Sequence, residues 1–296
     1  MILNIIFKFI LPILLILSGK IDAKSIAIYS AIDNAARELD IPYVVVGASA
    51  RDLILHYGYG ARVSRATADI DFAIQVPDWE TFEALRLKLI GYEFNETNTP
   101  HRLIYEEMFI DLVPFGEVQD EKAQIAWPPK GDIVMNVLGF HEAIENATNV
   151  IIQDNPKIEI PVVTPSGLSL LKIICWLDRD PDLRNKDAKD LLFLLNSYEE
   201  IPEIRKGIYE YPNMMESYDW DITLAASWLL GSHAGTIARK NTSEFVNKFS
   251  DNGIDDLNKE LLIEEMCEDI EQEYVRNERL LSAWFDGFNE KGYRRI

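Results

Sequence analysis

The segment Tyr43-Val-Val-Val-Gly47-Ala48-Ser49-Ala50-Arg51-Asp52 is followed, seventeen residues after Asp52, by Asp69-Ile70-Asp71-Phe72. This combination restricts the fold more than any other part of the chain. The apolar run predicts a buried strand, and the small residues after it a tight turn opening a helix. The second run predicts a strand carrying two carboxylates. Side chains alternate across a strand, so Asp69 and Asp71 point to one face while Ile70 and Phe72 point to the other. Two carboxylates held that close repel each other and lose hydration unless a cation neutralises them. Hard divalent ions such as Mg²⁺ take oxygen ligands, commonly a carboxylate or two with substrate phosphates completing the shell. A turn without bulky side chains can aim backbone N–H groups at such phosphates from the start of a helix. The competing reading is a solvent-facing stripe on a half-buried strand, because Ala68-Asp-Ile-Asp-Phe-Ala-Ile-Gln75 does alternate.

Phosphoryl and nucleotidyl transfer ask a protein mainly to align oxygens and neutralise developing charge. Two metal ions roughly 4 Å apart can clamp the attacking and leaving oxygens, and such a pair usually needs a third carboxylate. Asp111 is the candidate, an acid inside the apolar run Ile110-Asp111-Leu112. It would ligate the metal facing the acceptor hydroxyl or take that hydroxyl's proton. Taken alone, Asp111 reads as a strand-edge acid exposed to water; the Asp69–Asp71 pair turns the reading towards a third ligand.

A second cluster comprises Lys172, Arg179, Arg184, Lys186, Asp187 and Asp190. Lys172 and Arg179 are seven residues apart and share a helix face. Lys172 interrupts the apolar stretch Leu170-Leu-Lys-Ile-Ile-Cys-Trp176, where it either snorkels to the surface or presents a cation to a triphosphate. The four histidines show no paired metal-ligand spacing, and no Ser-His-Asp arrangement is supported by its context.

A formal net charge of −20 argues against indiscriminate binding to nucleic-acid phosphates. Two cysteines, Cys175 and Cys267, make no disulfide framework and lack zinc-site spacing, which points to a reducing compartment. Residues 1–24 form an apolar leader. Met1 to Leu17 is nearly all apolar, short for a membrane span, and closer to the hydrophobic part of a secretory signal. It reads as a signal or anchor, as a start codon placed too far upstream, or as an extra buried helix. A membrane is a partner only if that leader is a real anchor. Dependence on nucleoside triphosphate would place the chain in the cytoplasm.

Alternating periodicities predict helices at 25–39, 49–57 and 79–90 and strands at 43–46, 70–76, 102–106, 108–113, 150–153 and 158–163. Pro114 and Gly116 are expected to break the strand that carries Asp111. From Pro165 the pattern is helical, with segments at 166–177 and 184–196. The expected fold is α+β: a mixed sheet flanked by helices over residues 25–164, followed by a helical domain at 165–240 and an acidic helical tail at 241–296.

Gly47-Ala48-Ser49-Ala50-Arg51-Asp52 followed by Thr67-Ala-Asp69-Ile-Asp71 resembles the opening motif of the polymerase-β-like nucleotidyltransferase superfamily, a Gly-Gly or Gly-Ser turn before an Asp-x-Asp pair. Lys172…Arg179…Arg184-Asn-Lys-Asp187-Ala-Lys-Asp190-Leu191 resembles the helical element of AbiEii-type nucleotidyltransferase toxins, as do Ile110-Asp111-Leu-Val-Pro-Phe-Gly116 and Trp127-Pro-Pro129. The resemblance covers residues 27 to 235. It implies a two-domain enzyme with nucleotide in a cleft. Asp69, Asp71 and Asp111 would be the catalytic, metal-binding set, holding two Mg²⁺ ions. Gly47, Ala48, Ser49, Arg51, Lys172 and Asp187 would be the nucleotide-binding set. A nucleoside monophosphate would pass from a triphosphate to a hydroxyl of tRNA or protein, and a toxin would bring a separate antitoxin partner. Competing readings on the same fold are a non-catalytic nucleotide sensor and an aminoglycoside-type small-molecule nucleotidyltransferase. The chain departs from the pattern at Ala48, where a second glycine is usual. It also lacks the later base-selecting helix motif of the tRNA nucleotidyltransferases.

Overall fold

The computed structural model describes residues 14–62, 69–209, 214–248 and 255–290. Residues 1–13 of the leader, together with Arg65 and Thr67, lie outside the described residues. The chain divides into two compact units, one ending at Thr164 and the other starting at Pro165.

Among the described residues the first unit has ten strands: β1 (Leu15–Ile16), β2 (Tyr43–Val46), β3 (Asp69–Val76), β4 (Asn95–Glu96), β5 (Arg102–Tyr105), β6 (Met108–Gly116), β7 (Gln124–Ala126), β8 (Val134–Asn136), β9 (Thr148–Asp154) and β10 (Lys157–Val162). Eight of them build one mixed sheet in the order β1-β9-β10-β2-β3-β6-β5-β4, while β7 and β8 form a separate hairpin. The mixed sheet and its helices are the α+β architecture expected of the sequence.

The centre of the sheet follows from β-branched runs. Tyr43-Val-Val-Val46 is buried along its whole length, as a strand covered on both faces must be. It pairs antiparallel with β3, placing Val46 opposite Asp71. β3 pairs parallel with β6, placing Asp71 opposite Asp111 and Asp69 opposite Phe109. Alternation then sorts the two faces. Ile70, Phe72, Ile110 and Leu112 are buried on one. That face is covered by the helix Ala23–Glu38, whose Tyr29 ring meets the Phe72 ring edge-on at 6.0 Å. The acids occupy the other face.

The helix Ala23–Glu38 starts where Asp22 accepts a hydrogen bond from the Ser25 amide at 2.9 Å. The helix Trp79–Ile90 starts in the same way on Asp78, which accepts from Thr81 N at 2.7 Å, and it buries Phe82, Leu85 and Leu89. The helix expected at 49–57 begins earlier, at Gly47, and from Asp52 to Gly58 widens into π-helical turns. Such widening often marks a functional region.

Other differences from expectation have local causes. Pro114 does not end β6, which runs on to Gly116. Pairing with β5 stops at Asp111, so beyond it β6 has only β3 as a ladder partner. Proline is tolerated where its missing N–H would have faced away from a partner strand. The two- and three-residue strands β4, β7 and β8 and the helix Phe140–Glu145 are too short to show a period. At the other end, Leu15–Ile16 pairs parallel with Val150–Ile151 and Leu17 is fully buried, so the sheet takes in residues assigned to the leader.

The second unit is helical. The helix Pro165–Asp178 buries Leu168, Leu170, Leu171, Ile173, Ile174 and Trp176. The helices Ile222–Ile237 and Ile270–Asn289 approach closely through glycine: a Cβ on Gly231 would overlap the Trp284 carbonyl, and one on Gly287 the Trp228 carbonyl. Acidic residues of 241–296 do sit on helix surfaces. Leu262, Ile263, Met266, Leu280, Leu281, Trp284 and Phe288 nevertheless pack into the core of this same unit. No helix among the described residues is long and apolar enough to cross a membrane.

Candidate active site

Strand register puts the three acids together. Asp69 and Asp71 project from β3 and Asp111 from the neighbouring β6, all on the face opposite Phe72. Their ligand oxygens lie within 4.8 Å of one another. Asp69 and Asp71 are partly exposed and Asp111 is buried. The stripe reading of Asp69 and Asp71 does not account for a third acid from another strand converging on them. Three hard oxygen donors at this spacing suit a divalent cation with open positions for phosphate or water.

The turn after β2 abuts this cluster. Gly47 has φ +70°, the left-handed region that glycine adopts without penalty, and a Cβ there would overlap the Asp71 carboxylate. The helix that starts at Gly47 has extended Val46 as its N-cap and no side-chain cap bond. Its first amides are thus the kind of donors that bind anions. Ala48 and Ser49 are buried. The Ser49 hydroxyl donates to the Val46 carbonyl at 3.2 Å, so the turn offers an anion its backbone. Arg51 is only 4 % exposed and its guanidinium rests on the next residue, Nε to Asp52 Oδ1 at 2.8 Å.

Arg102 was not singled out by sequence, yet it meets the cluster directly. Its Nε donates to Asp111 Oδ1 and its Nη2 to Asp111 Oδ2, both at 2.6 Å, and Nη2 lies 3.9 Å from Asp69 Oδ2. The same guanidinium stands 4.8 Å from the centroid of the Phe109 ring. Hydrogen bonding to Asp111 holds the Arg102 pKa above its ordinary value. The signal was present in the hairpin. A two-residue connection at Glu106-Glu107 pairs Tyr105 with Met108, and counting back from it sets Arg102 opposite Asp111. His101 adjoins the site with its ring 5.8 Å from Trp127, and burial pushes its pKa down.

The second cluster lies within the helical unit. Lys172 Nζ is 3.0 Å from Asp187 Oδ1 and 2.7 Å from Asp190 Oδ2, and Arg179 pairs with the other Asp187 oxygen. Lys172, Asp187 and Asp190 are all buried. Burial alone would push the Lys172 amine down, but the carboxylates of Asp190 and Asp187 hold it well above its ordinary value. Lys172 therefore does not snorkel; it ties the helix Pro165–Asp178 to the helix Pro181–Ser197. Arg184 stands apart, stacked 4.0 Å over Trp176 and bonded to Glu265 at 2.9 Å.

A mixed sheet with a small-residue turn beside three clustered carboxylates is an arrangement suited to nucleotidyl transfer. The chain belongs to the AbiEii family, described as nucleotidyl transferase AbiEii toxin of a type IV toxin–antitoxin system, whose family model matches residues 32–272. No curated protein matches it. Among solved structures it is similar to the antibiotic-resistance factor ANT(2'')-Ia, with 14 % identity, a TM-score of 0.35, and 67 % of this chain and 98 % of that one covered. It is also similar to a Thermotoga maritima CCA-adding enzyme in complex with tRNA, with 12 % identity, a TM-score of 0.25, and 91 % of this chain and 80 % of that one covered.

Proposed function

We propose that this nucleotidyltransferase moves a nucleoside monophosphate from a triphosphate to a hydroxyl of tRNA or protein, releasing pyrophosphate, as the toxin of a pair whose antitoxin is a separate protein. The observation that carries the reading is the convergence of Asp69, Asp71 and Asp111 beside the Gly47 turn. The amides at Gly47, Ala48 and Ser49 hold the triphosphate against the three carboxylates. Asp69 and Asp71 bind Mg²⁺, and Asp111 completes the set on the acceptor side, where it orients the attacking hydroxyl or takes its proton. Two Mg²⁺ ions held there would neutralise charge on the attacking and leaving oxygens. Arg51 is held on Asp52 beside the turn, while Lys172 and Asp187 pair inside the helical unit and join two of its helices. The reading places the protein in the cytoplasm, where nucleoside triphosphates are abundant.

The test incubates the full chain with each labelled nucleoside triphosphate, Mg²⁺, and total cellular RNA and protein. Label should enter one polymer class from one preferred nucleotide and disappear with Asp69→Ala plus Asp71→Ala. Equal labelling by that variant overturns the reading. Labelling of neither polymer, together with modification of an aminoglycoside, would assign the acceptor to small molecules instead.

A further inference from the structure

The relation of Arg102 to the triad goes beyond this reading of the site, though it rests on that reading's metal. The guanidinium engages both oxygens of Asp111, and its Nη2 stands 2.6 Å from Asp111 Oδ2 and 3.9 Å from Asp69 Oδ2. One nitrogen thus occupies space between two carboxylates, which is where a cation shared by them must sit. A fork of this kind is the strongest hydrogen-bonding match a carboxylate finds among side chains. It compensates one negative charge of a three-acid cluster, and no metal can approach the Asp69–Asp111 side without meeting a positive charge at close range. Arg102 is also placed to leave. Its side chain is 30 % exposed, and the guanidinium already lies 4.8 Å from the centroid of the Phe109 ring, a contact it can keep when the fork on Asp111 opens.

We propose that Arg102 is a placeholder cation: it holds Asp111 in its ligating orientation, and the metal on the Asp69–Asp111 side enters by displacing the guanidinium from the Asp111 carboxylate. Entry of that metal and movement of Arg102 are therefore one event. The free enzyme takes up divalent cation weakly at this position. A bound triphosphate, bringing oxygen ligands and negative charge of its own, tips the exchange. Arg102 is a positioning residue in this scheme, acting on the reaction through Asp111.

Calorimetric titration of the full chain with Mn²⁺, without nucleotide, tests the exchange. Arg102→Gln should bind Mn²⁺ on the order of tenfold more tightly than the unaltered protein, because a charge-assisted fork no longer competes. Arg102→Lys should also bind more tightly, because an ammonium cannot hold both Asp111 oxygens. Arg102→Gln within twofold of the unaltered protein overturns the proposal. So does Arg102→Lys at the unaltered affinity, which would reduce Arg102 to a nearby charge. Asp69→Ala is the control: if it binds Mn²⁺ as well as the unaltered chain, the triad is not the metal site, and the functional reading fails with the proposal. A second measurement needs no substitution. The Arg102 Nε–H resonance should exchange slowly with water while bonded to Asp111 and faster at saturating Mg²⁺. An unchanged exchange rate at saturation overturns the displacement.

Discussion

Gly47 and Asp71 stand so close across the β2–β3 pair that a single methyl group on the glycine would occupy the space of the aspartate carboxylate. The turn proposed for phosphate and the acid proposed for metal are therefore one constructed unit. Gly47→Ala forces a Cβ into that space at φ +70°, a conformation costing a non-glycine residue about 1 kcal/mol. Asp71 must swing away. Transfer should fall by roughly a hundredfold, the scale of a 1 Å misplacement, while the urea midpoint drops only modestly. Steady-state assays with a matched denaturation curve check this; full activity would show that the close approach is incidental.

Much of this unit was legible in the chain. Period-two alternation places Asp69 and Asp71 on one face, and the apolar setting of Asp111 marks it as an interior strand. What local pattern cannot give is register between strands far apart in sequence. The pairing of Asp71 with Asp111 depends on β6 lying parallel beside β3, a tertiary fact. Arg102 depended on where the hairpin turns: the expected strands 102–106 and 108–113 leave Glu107 alone between them, whereas the observed turn at Glu106-Glu107 sets Arg102 opposite Asp111. Lys172 was legible as an anomaly in an apolar helix, but the choice between a surface route and a buried partner required the position of Asp190.

Asp69→Asn separates function from folding. It removes one of three clustered negative charges without changing shape. Transfer should drop by about a thousandfold or more, the scale of losing an electrostatic contact to the reacting group. Like charges held together are costly, so in EDTA the variant should melt no lower than the unaltered protein and about 2 °C higher for each kcal/mol of repulsion relieved. Added Mg²⁺ should raise the melting temperature of the unaltered protein more than that of Asp69→Asn. Scanning calorimetry with and without Mg²⁺ decides the matter, and a large loss of stability in EDTA would show that Asp69 is structural.

Lys172 predicts the opposite behaviour. Its ammonium is buried between Asp187 and Asp190, with Asp187 also paired to Arg179. Lys172→Met leaves Asp190 without that compensating charge in a dry setting. Breaking a buried pair from one side typically costs about 3–5 kcal/mol, and urea denaturation should show a loss of that size. Lys172→Met combined with Asp190→Asn should recover part of it, because Asp190 then carries no charge for Lys172 to offset. A single variant as stable as the unaltered chain would mean that water reaches the cluster.

His233 supplies a pH signature independent of the site. It sits on the helix Ile222–Ile237, 9 % exposed, with Nδ1 2.7 Å from the Tyr198 hydroxyl. Burial pushes its pKa down to about 4. In the unfolded chain an imidazole titrates near its ordinary value of about 6.5. Above that pH both states are neutral and the full stability is present. Between roughly pH 6.5 and 4 the unfolded state takes up a proton that the folded state refuses, so stability is lost as pH falls. Each pH unit in that window is worth about 1.4 kcal/mol, or about 3 kcal/mol in total. His233→Gln keeps a polar partner for Tyr198 but does not titrate. Unfolding free energies at pH 7 and pH 4 should fall further for the unaltered protein than for the variant by about that amount. Parallel pH profiles would show that the ring is accessible enough to protonate in the folded state.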